Sequence, residues 1–351
     1  MRSERLRRVG SWLGEQRIYV LLAVTMLVLS AWAPKFLNHY NLTVIAKSAS
    51  LNALVAVGFT VVLICGELDL SIGTTITLGA MLAVGLQPSL GWCGSVAVAL
   101  VTGVGVGVAN GLLVTKLRLH SFIATLGSMT MAQGVIYMYS HGSSVSVTGA
   151  ADLDLGAFLE SPLGVDVPFL SLFAPRTLVT VAVVLLVHWG LTCTRPGRNL
   201  FLVGGSKETA WLAGLNPDAY VLGAFALSGF TAALGGALVG MGMSSATTDL
   251  GTSALMDVIS ATIIGGTAMS GGRGSVLSSA VAVLTFAAMF NGFNRLGFGS
   301  EFRVFVAGLV LAGVVLQEAW ARARHERTRG RRSDLLAAWR QGPAAGEGGR
   351  R

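Results

Sequence analysis

The sequence predicts an all-α membrane protein of about ten transmembrane helices in two pseudo-repeated halves. Three observations carry that expectation. Of the 351 residues, 53% are apolar and 12% are charged, about half the charged share of a soluble domain. The apolar residues fall in runs of roughly 20, the length of helix that crosses about 30 Å of hydrocarbon. Lys and Arg cluster in alternate connections between those runs. A β-barrel would show alternating segments of about ten residues instead; these runs are continuous, and the chain holds 46 glycines.

Segments are predicted at 18–34, 42–65, 73–88, 92–114, 121–140, 169–191, 219–243, 254–268, 275–292 and 302–320. The first resembles a signal peptide, with Ala31-Trp32-Ala33 at its end, but Pro34 follows and the run is long enough to span, so it reads as an uncleaved helix. With the N-terminus inside, the stretches 1–17, 66–72, 115–120, 192–218, 269–274 and 321–351 are cytosolic. They hold 20 of the 25 Lys and Arg, against four outside (Lys35, Arg176, Arg295, Arg303), and Lys47 lies in the second segment. That is a strong positive-inside signal. The long outer connection, 141–168, holds Asp152, Asp154, Glu160 and Asp166 and no Lys or Arg.

The net charge of +8 is thereby explained by topology, and no nucleic-acid partner is expected. Three units follow: a basic cytosolic N-terminus (1–17), a transmembrane domain (18–320) and a basic cytosolic tail (321–351) expected to be disordered or to lie on anionic lipid. Cys65, Cys93 and Cys193 have neither metal-ligand spacing nor a disulfide framework and read as small buried apolar residues. No metal site is expected.

The halves are suggested by a repeat. Gly66-Glu-Leu-Asp-Leu-Ser71-Ile-Gly73 lies over Gly265-Gly-Thr-Ala-Met-Ser270-Gly-Gly272, matching Gly66/Gly265, Ser71/Ser270 and Gly73/Gly272. Each copy ends one apolar segment and starts the next. Transporters are often built of two such halves with the pathway between them.

Polar residues at these places are the pathway candidates. A carboxylate at a helix centre costs about 2.5–3.5 kcal/mol on insertion scales, so Glu67, Asp69 and Asp257 are expected at an interface, paired, or facing water. Gly66 and Gly73 permit a break between helices, and Ser71 is placed to cap the next helix. Asn52, Thr74, Ser244 and Ser245 join Glu67, Asp69, Ser71 and Asp257 as pathway candidates, although hydroxyls in membrane helices also serve packing. Lys47 snorkels or pairs with an acid. No convergent nucleophile, base or Walker motif is present, so the chain is not read as an enzyme.

Residues 194–217, TRPGRNLFLVGGSKETAWLAGLNP, form a long polar connection in the cytosol. Pro196-Gly197-Arg198 is expected to break the sixth helix and Gly204-Gly205 to make a second break. Ser206 through Gly214 then reads as a short amphipathic helix, with Ser206 as N-cap and Gly214 just past its end. Ala210, Leu212 and Ala213 give it a small apolar surface, and Trp211 an anchor. The segment either lies on lipid or docks in the cleft of a soluble partner; Gly197, Arg198, Gly205, Glu208, Ala210, Trp211 and Gly214 are the candidates for docking.

Five ordered motifs over residues 17–320 then resemble a known family: GELDLSIG (66–73), SFIATLG (121–127), PGR followed by VGGSKETAWLAGLN (196–216), SSATTDLGTSALMDVISATIIGGTAMSGGRG (244–274) and FNGFNRLG (290–297). The chain is similar to the permease subunits of bacterial ABC importers for monosaccharides of the ribose, xylose, arabinose and galactose type. The resemblance implies a ten-helix, vitamin-B12-importer-like permease in the inner membrane, working as a pair of subunits. It implies a double-cassette ATPase in the cytosol, which alone carries ATP and Mg, and an extracytoplasmic sugar-binding protein; no cofactor is expected in this chain. The 196–214 segment is where such permeases place a coupling helix. Two departures stand out. Cys65-Gly66-Glu67-Leu68-Asp69 stands where Gly-Gly-Ile-Asp is usual, and Ser206-Lys207-Glu208-Thr209-Ala210 where Asn-Glu-Ala-Ala is usual. An ion-coupled carrier is the competing reading, but such a carrier usually needs acids deep in the bilayer. Permeases for branched-chain amino acids or nucleosides are nearer alternatives.

Overall fold

The computed structural model describes residues 17–147, 156–161, 174–299, 301–309, 312, 313 and 316. The tail (321–351), all of the N-terminus but Arg17 and most of 148–173 lie outside the described residues. The helices are α1 (Arg17–Trp32), α2 (His39–Ile64), α3 (Ile72–Gly85), α4 (Gln87–Thr115), α5 (Ser121–Ser140), α6 (Pro175–Cys193), α7 (Arg195–Gly205), α8 (Lys207–Leu212), α9 (Pro217–Met243), α10 (Leu250–Ile264) and α11 (Val276–Arg295). Two short strands, β1 (Val145–Ser146) and β2 (Ser245–Ala246), pair antiparallel. Residues 301–309 are helical.

Helices α2, α4, α6, α9 and α11 are long and apolar enough to cross a membrane; α1, α3 and α10 are apolar but shorter. The chain is thus an all-α, multi-pass membrane protein. Helix α9 lies at the centre, packed against α2, α3 and α4. Small residues make that packing possible. A Cβ on Gly229 would overlap the carbonyl oxygen of Gly103, and one on Gly236 that of Ile76. Lipid supplies no hydrophobic drive between helices, so close backbone approach at small residues replaces it. Short α3 is buried almost throughout and meets α10 where a Cβ on Gly251 would overlap the Gly73 carbonyl. Gly251 N also donates to Thr77 Oγ1 at 3.1 Å.

Several expectations need correction. The sixth helix is broken at Thr194, whose backbone is extended, and not at Pro196-Gly197-Arg198, which belong to the next helix. Thr194 Oγ1 accepts from Gly197 N at 3.2 Å, and a proline in the first turn forfeits no intrahelical bond. Gly197 is required by packing, since a Cβ there would overlap the Leu191 carbonyl. Gly204 and Gly205 likewise end α7, and the break falls on extended Ser206. Gly73 is helical rather than a turn residue. Ser71 makes no side-chain cap on α3, because its hydroxyl donates to Asp69 Oδ1 instead. Cys65 is buried, but Cys93 and Cys193 are exposed on the bundle's surface.

Candidate functional site

Helices α7 and α8 pack on each other, α7 also against α6 and α2, and both against α9. Ser206 caps α8 by accepting from Thr209 N at 3.1 Å, and Gly214 comes after it with φ of 80°, as its position predicts. Ala210 is buried, whereas Trp211 is 67% exposed and Leu212 73%. Glu208 and Arg198 are also exposed. Two adjacent apolar side chains thus face away from the protein, next to an acid.

The end of α7 meets both copies of the sequence repeat. A Cβ on Gly204 would overlap the Ile64 carbonyl and stand 2.8 Å from Gly272 N. One on Gly271 would stand 2.6 Å from the Gly204 carbonyl oxygen and 2.8 Å from Gly66 Cα. Gly272 N donates to Ile64 O at 2.9 Å, joining the two copies directly. Gly66, Gly271 and Gly272 all have positive φ, which glycine adopts without steric cost. Three backbone segments, 64–67, 204–205 and 270–272, are therefore in contact through glycines.

From that junction the α2–α3 turn leads into the bundle. Asp69 is 1% exposed. Its Oδ1 accepts from Ser71 N at 3.0 Å and Ser71 Oγ at 2.6 Å, and its Oδ2 accepts from Ser228 Oγ at 2.7 Å. Burial pushes the Asp69 carboxyl above its ordinary range, opposed by those hydrogen bonds. Asn110 Nδ2 donates to Ser71 Oγ at 2.8 Å, and Ser128 Oγ donates to Asn110 Oδ1 at 2.6 Å. The turn's backbone is held as well, with Leu68 N donating to Ser121 Oγ at 3.1 Å and Leu70 N to Thr125 Oγ1 at 3.2 Å. Helices α4, α5 and α9 thus grip one turn. Sequence reasoning does not single out Asn110, Ser121, Thr125, Ser128 or Ser228. Ser121, Thr125 and Ser128 share one helical face by their spacing, and that is the available signal.

The other candidates lie elsewhere. Asn52 Nδ2 donates to Asp257 Oδ2 at 3.4 Å. Arg303 also donates to Asp257 and stacks 4.8 Å above the Phe290 ring. Thr74 Oγ1 donates back to Ser71 O at 3.0 Å. Ser244 adopts φ of 50° at the end of α9, and Ser245 pairs with Ser146, so both belong to the β1–β2 clip. A further ion group joins Lys47 (3.3 Å from Glu160), Glu160 and Arg176, and the Lys47 side chain also donates to the Glu160 carbonyl. The eight pathway candidates therefore fall in three separate places: Glu67, Asp69, Ser71 and Thr74 at the α2–α3 turn and the start of α3, Asn52 with Asp257, and Ser244 with Ser245. None of them lines the apolar groove of about 450 Å³ between α3, α4 and α5, whose walls include Leu78, Val106 and Met131.

Two substitutions probe these groups. Asp69→Asn puts an amide donor where three donors already converge, a loss of about 1–3 kcal/mol for the unsatisfied group; lower thermal stability of the purified protein in detergent is the expected result. Asp257→Asn leaves Arg303 without its anion. Membrane levels are expected to hold while uptake falls several-fold, measured as labelled-substrate accumulation at matched expression.

A bundle of apolar helices with a structured polar segment set against its internal repeat is the architecture of a membrane transport subunit. Residues 41–315 match the family profile described as the permease component of the branched-chain amino acid transport system, and the chain belongs to that family. It is 33% identical over 310 residues to the ribose import permease protein RbsC of Escherichia coli K12, covering 87% of this chain and 94% of that one. It is 29% identical over 321 residues to RbsC of Bacillus subtilis 168, covering 89% and 92%. Against the galactose/methyl galactoside import permease protein MglC of Salmonella typhimurium LT2 it is 29% identical over 327 residues, covering 90% and 96%. No solved structure matches.

Proposed function

We propose that this chain is the membrane-spanning permease subunit of an ATP-binding-cassette importer that moves a monosaccharide or related small polyol across the inner membrane. The observation that carries the coupling is the α7–α8 segment. It presents exposed Trp211, Leu212 and Glu208 on one side and touches both repeat loops on the other. The substrate class rests on relatives named for ribose, galactose and allose import over most of their length. A separate double-cassette ATPase docks on 195–214 in the cytosol and hydrolyses ATP. A sugar-binding protein delivers substrate outside, and two permease subunits pair around the pathway. In this reading the chain has ten transmembrane helices in a vitamin-B12-importer-like arrangement, with both termini cytosolic.

The candidates divide accordingly. Gly197, Arg198, Glu208, Ala210, Trp211 and Gly214 form or shape the ATPase-docking segment, while Gly205, where a Cβ would meet nothing within 4 Å, is a replaceable part of it. Asn52 and Asp257 stand on the pathway, with Glu67, Asp69, Ser71, Thr74, Ser244 and Ser245 supporting helices that move around it. Alternating access then amounts to two bundle conformations whose balance the ATPase shifts through the docked segment.

Two experiments test this. Reporter fusions are expected to place 141–168 outside and 194–217 inside; an external 194–217 overturns the docking reading. Uptake measured with labelled ribose, galactose, allose and leucine in cells expressing the complete importer addresses substrate. Leucine transport without sugar transport would favour the amino-acid reading that the family description offers.

A further inference from the structure

We propose that the Glu67–Lys207 ion pair is the contact that ties movement of the α7–α8 segment to the α2–α3 turn, so that the turn moves with the segment in both directions. The proposal rests on the coupling role of 195–214. Lys207 opens α8, and its ammonium donates to Glu67 Oε1 across 140 positions of sequence. The Glu67 side chain is 9% exposed and that of Lys207 is 48% exposed. The acid is thus seated in the protein, and the base reaches it from the surface.

The contacts between the segment and the turn differ in the motion they can transmit. The glycine junction brings Gly204 against Ile64 and Gly272, and Gly66 against Gly271, backbone to backbone. Such contacts resist approach steeply but give little resistance to separation, since each atom pair is worth only about 0.1–0.2 kcal/mol. They can push the turn, but they pull it weakly. The backbone bond from Gly272 N to Ile64 O joins the two repeat loops to each other and not to α7–α8. Among the described residues, the polar bond between the α7–α8 segment and the 64–71 turn is the Glu67–Lys207 pair.

The four residues after Glu67 are firmly connected. Leu68 N, Asp69, Leu70 N and Ser71 bond to α5, α9 and α4. A displacement at Glu67 therefore reaches three helices through hydrogen bonds. Glu67 is thus a positioning residue rather than one that touches substrate.

The test uses the full importer, with permease, ATPase and binding protein, in proteoliposomes. Lys207→Gln, Glu67→Gln and the exchange Glu67→Lys with Lys207→Glu are compared. Both single variants are expected to retain ATPase co-purification while substrate-stimulated ATP hydrolysis and uptake fall about five- to tenfold, the lower range of typical site-to-site coupling. The exchange is expected to recover at least half of the lost stimulation, which a purely structural defect would not. Wild-type stimulation in both single variants overturns the proposal. So does loss of ATPase co-purification in Lys207→Gln, which would make Lys207 part of the docking surface. Lys207→Gln alters a half-exposed surface group, so it reports even if the Glu67 variants fail to fold. Failure of the coupling role itself would appear separately, as unaltered ATPase binding and uptake when Trp211 and Glu208 are replaced.

Discussion

Gly204→Ala is expected to abolish most uptake, although it adds a single methyl group. At this position the methyl carbon would overlap the Ile64 carbonyl oxygen and stand 2.8 Å from Gly272 N. Both neighbours are backbone, so no side chain can rotate away. The Ile64 carbonyl is also held by Gly272 N at 2.9 Å, so relief requires α7 to move as a unit. Overpacking of this kind costs about 1–3 kcal/mol where flexible side chains absorb it. Here the cost falls on the register of the α7–α8 segment against both repeat loops. Gly205→Ala is the informative comparison, because a Cβ there meets nothing within 4 Å. Uptake at matched membrane levels is expected to drop at least tenfold for Gly204→Ala and to stay near wild type for Gly205→Ala. Equal activity of the two would show that the glycine junction is not tight during transport.

The contrast between Gly204 and Gly205 also shows where sequence reading stops. Adjacent glycines look alike in a sequence and read as a break; only packing distinguishes the one pressed against Ile64 from the one facing open space. Helices are easier. Continuous apolar runs predict α2 as 42–65 and α5 as 121–140, against the observed His39–Ile64 and Ser121–Ser140. Backbone hydrogen bonds that cannot be met by lipid force such runs into helix. Helix α7 escapes sequence reading because Pro196 and Gly197 are breakers within a helix but acceptable in its first turn. The buried network around Asp69 is half legible. The cost of burying a carboxylate predicts partners, yet single polar residues such as Asn110 and Ser228, far along the chain in apolar runs, carry no local mark of whom they meet. The partner of Glu67 is equally hidden, since nothing links position 67 to position 207 before the chain folds. The amide of Asn52 and the guanidinium of Arg303, which meet on Asp257, join α2, the 301–309 helix and α10 in the same way.

Trp211→Ala and Glu208→Lys are expected to uncouple transport without unfolding the permease. Trp211 is 67% exposed, so its removal deprives the bundle of little packing. Glu208 lies in the first turn of α8, where its charge is favoured by the helix dipole by about 0.3–1 kcal/mol. Reversal of that charge is therefore a small loss for so short a helix, and the membrane bundle does not depend on it. Against a partner the balance is different. An exposed Trp beside Leu212 and an acid has the composition of an interface anchor, where truncation costs roughly 2 kcal/mol or more. That corresponds to about a thirtyfold loss of affinity at 1.4 kcal/mol for each factor of ten. Co-purification of the ATPase subunit is thus expected to fall steeply in Trp211→Ala, with permease levels in the membrane unchanged. Glu208→Lys adds repulsion toward any basic group that the partner sets against the acid, and its defect should lessen as ionic strength rises, because a Debye length shrinks from about 10 Å at 0.1 M to 3 Å at 1 M. The defect of Trp211→Ala should show no such salt relief, being one of shape and desolvation. Pull-down of the ATPase at low and high salt, with substrate-stimulated hydrolysis measured on the same preparations, separates the two. Full ATPase binding and uptake in both variants would make α8 a helix resting on the lipid surface and would end the assignment of coupling to it.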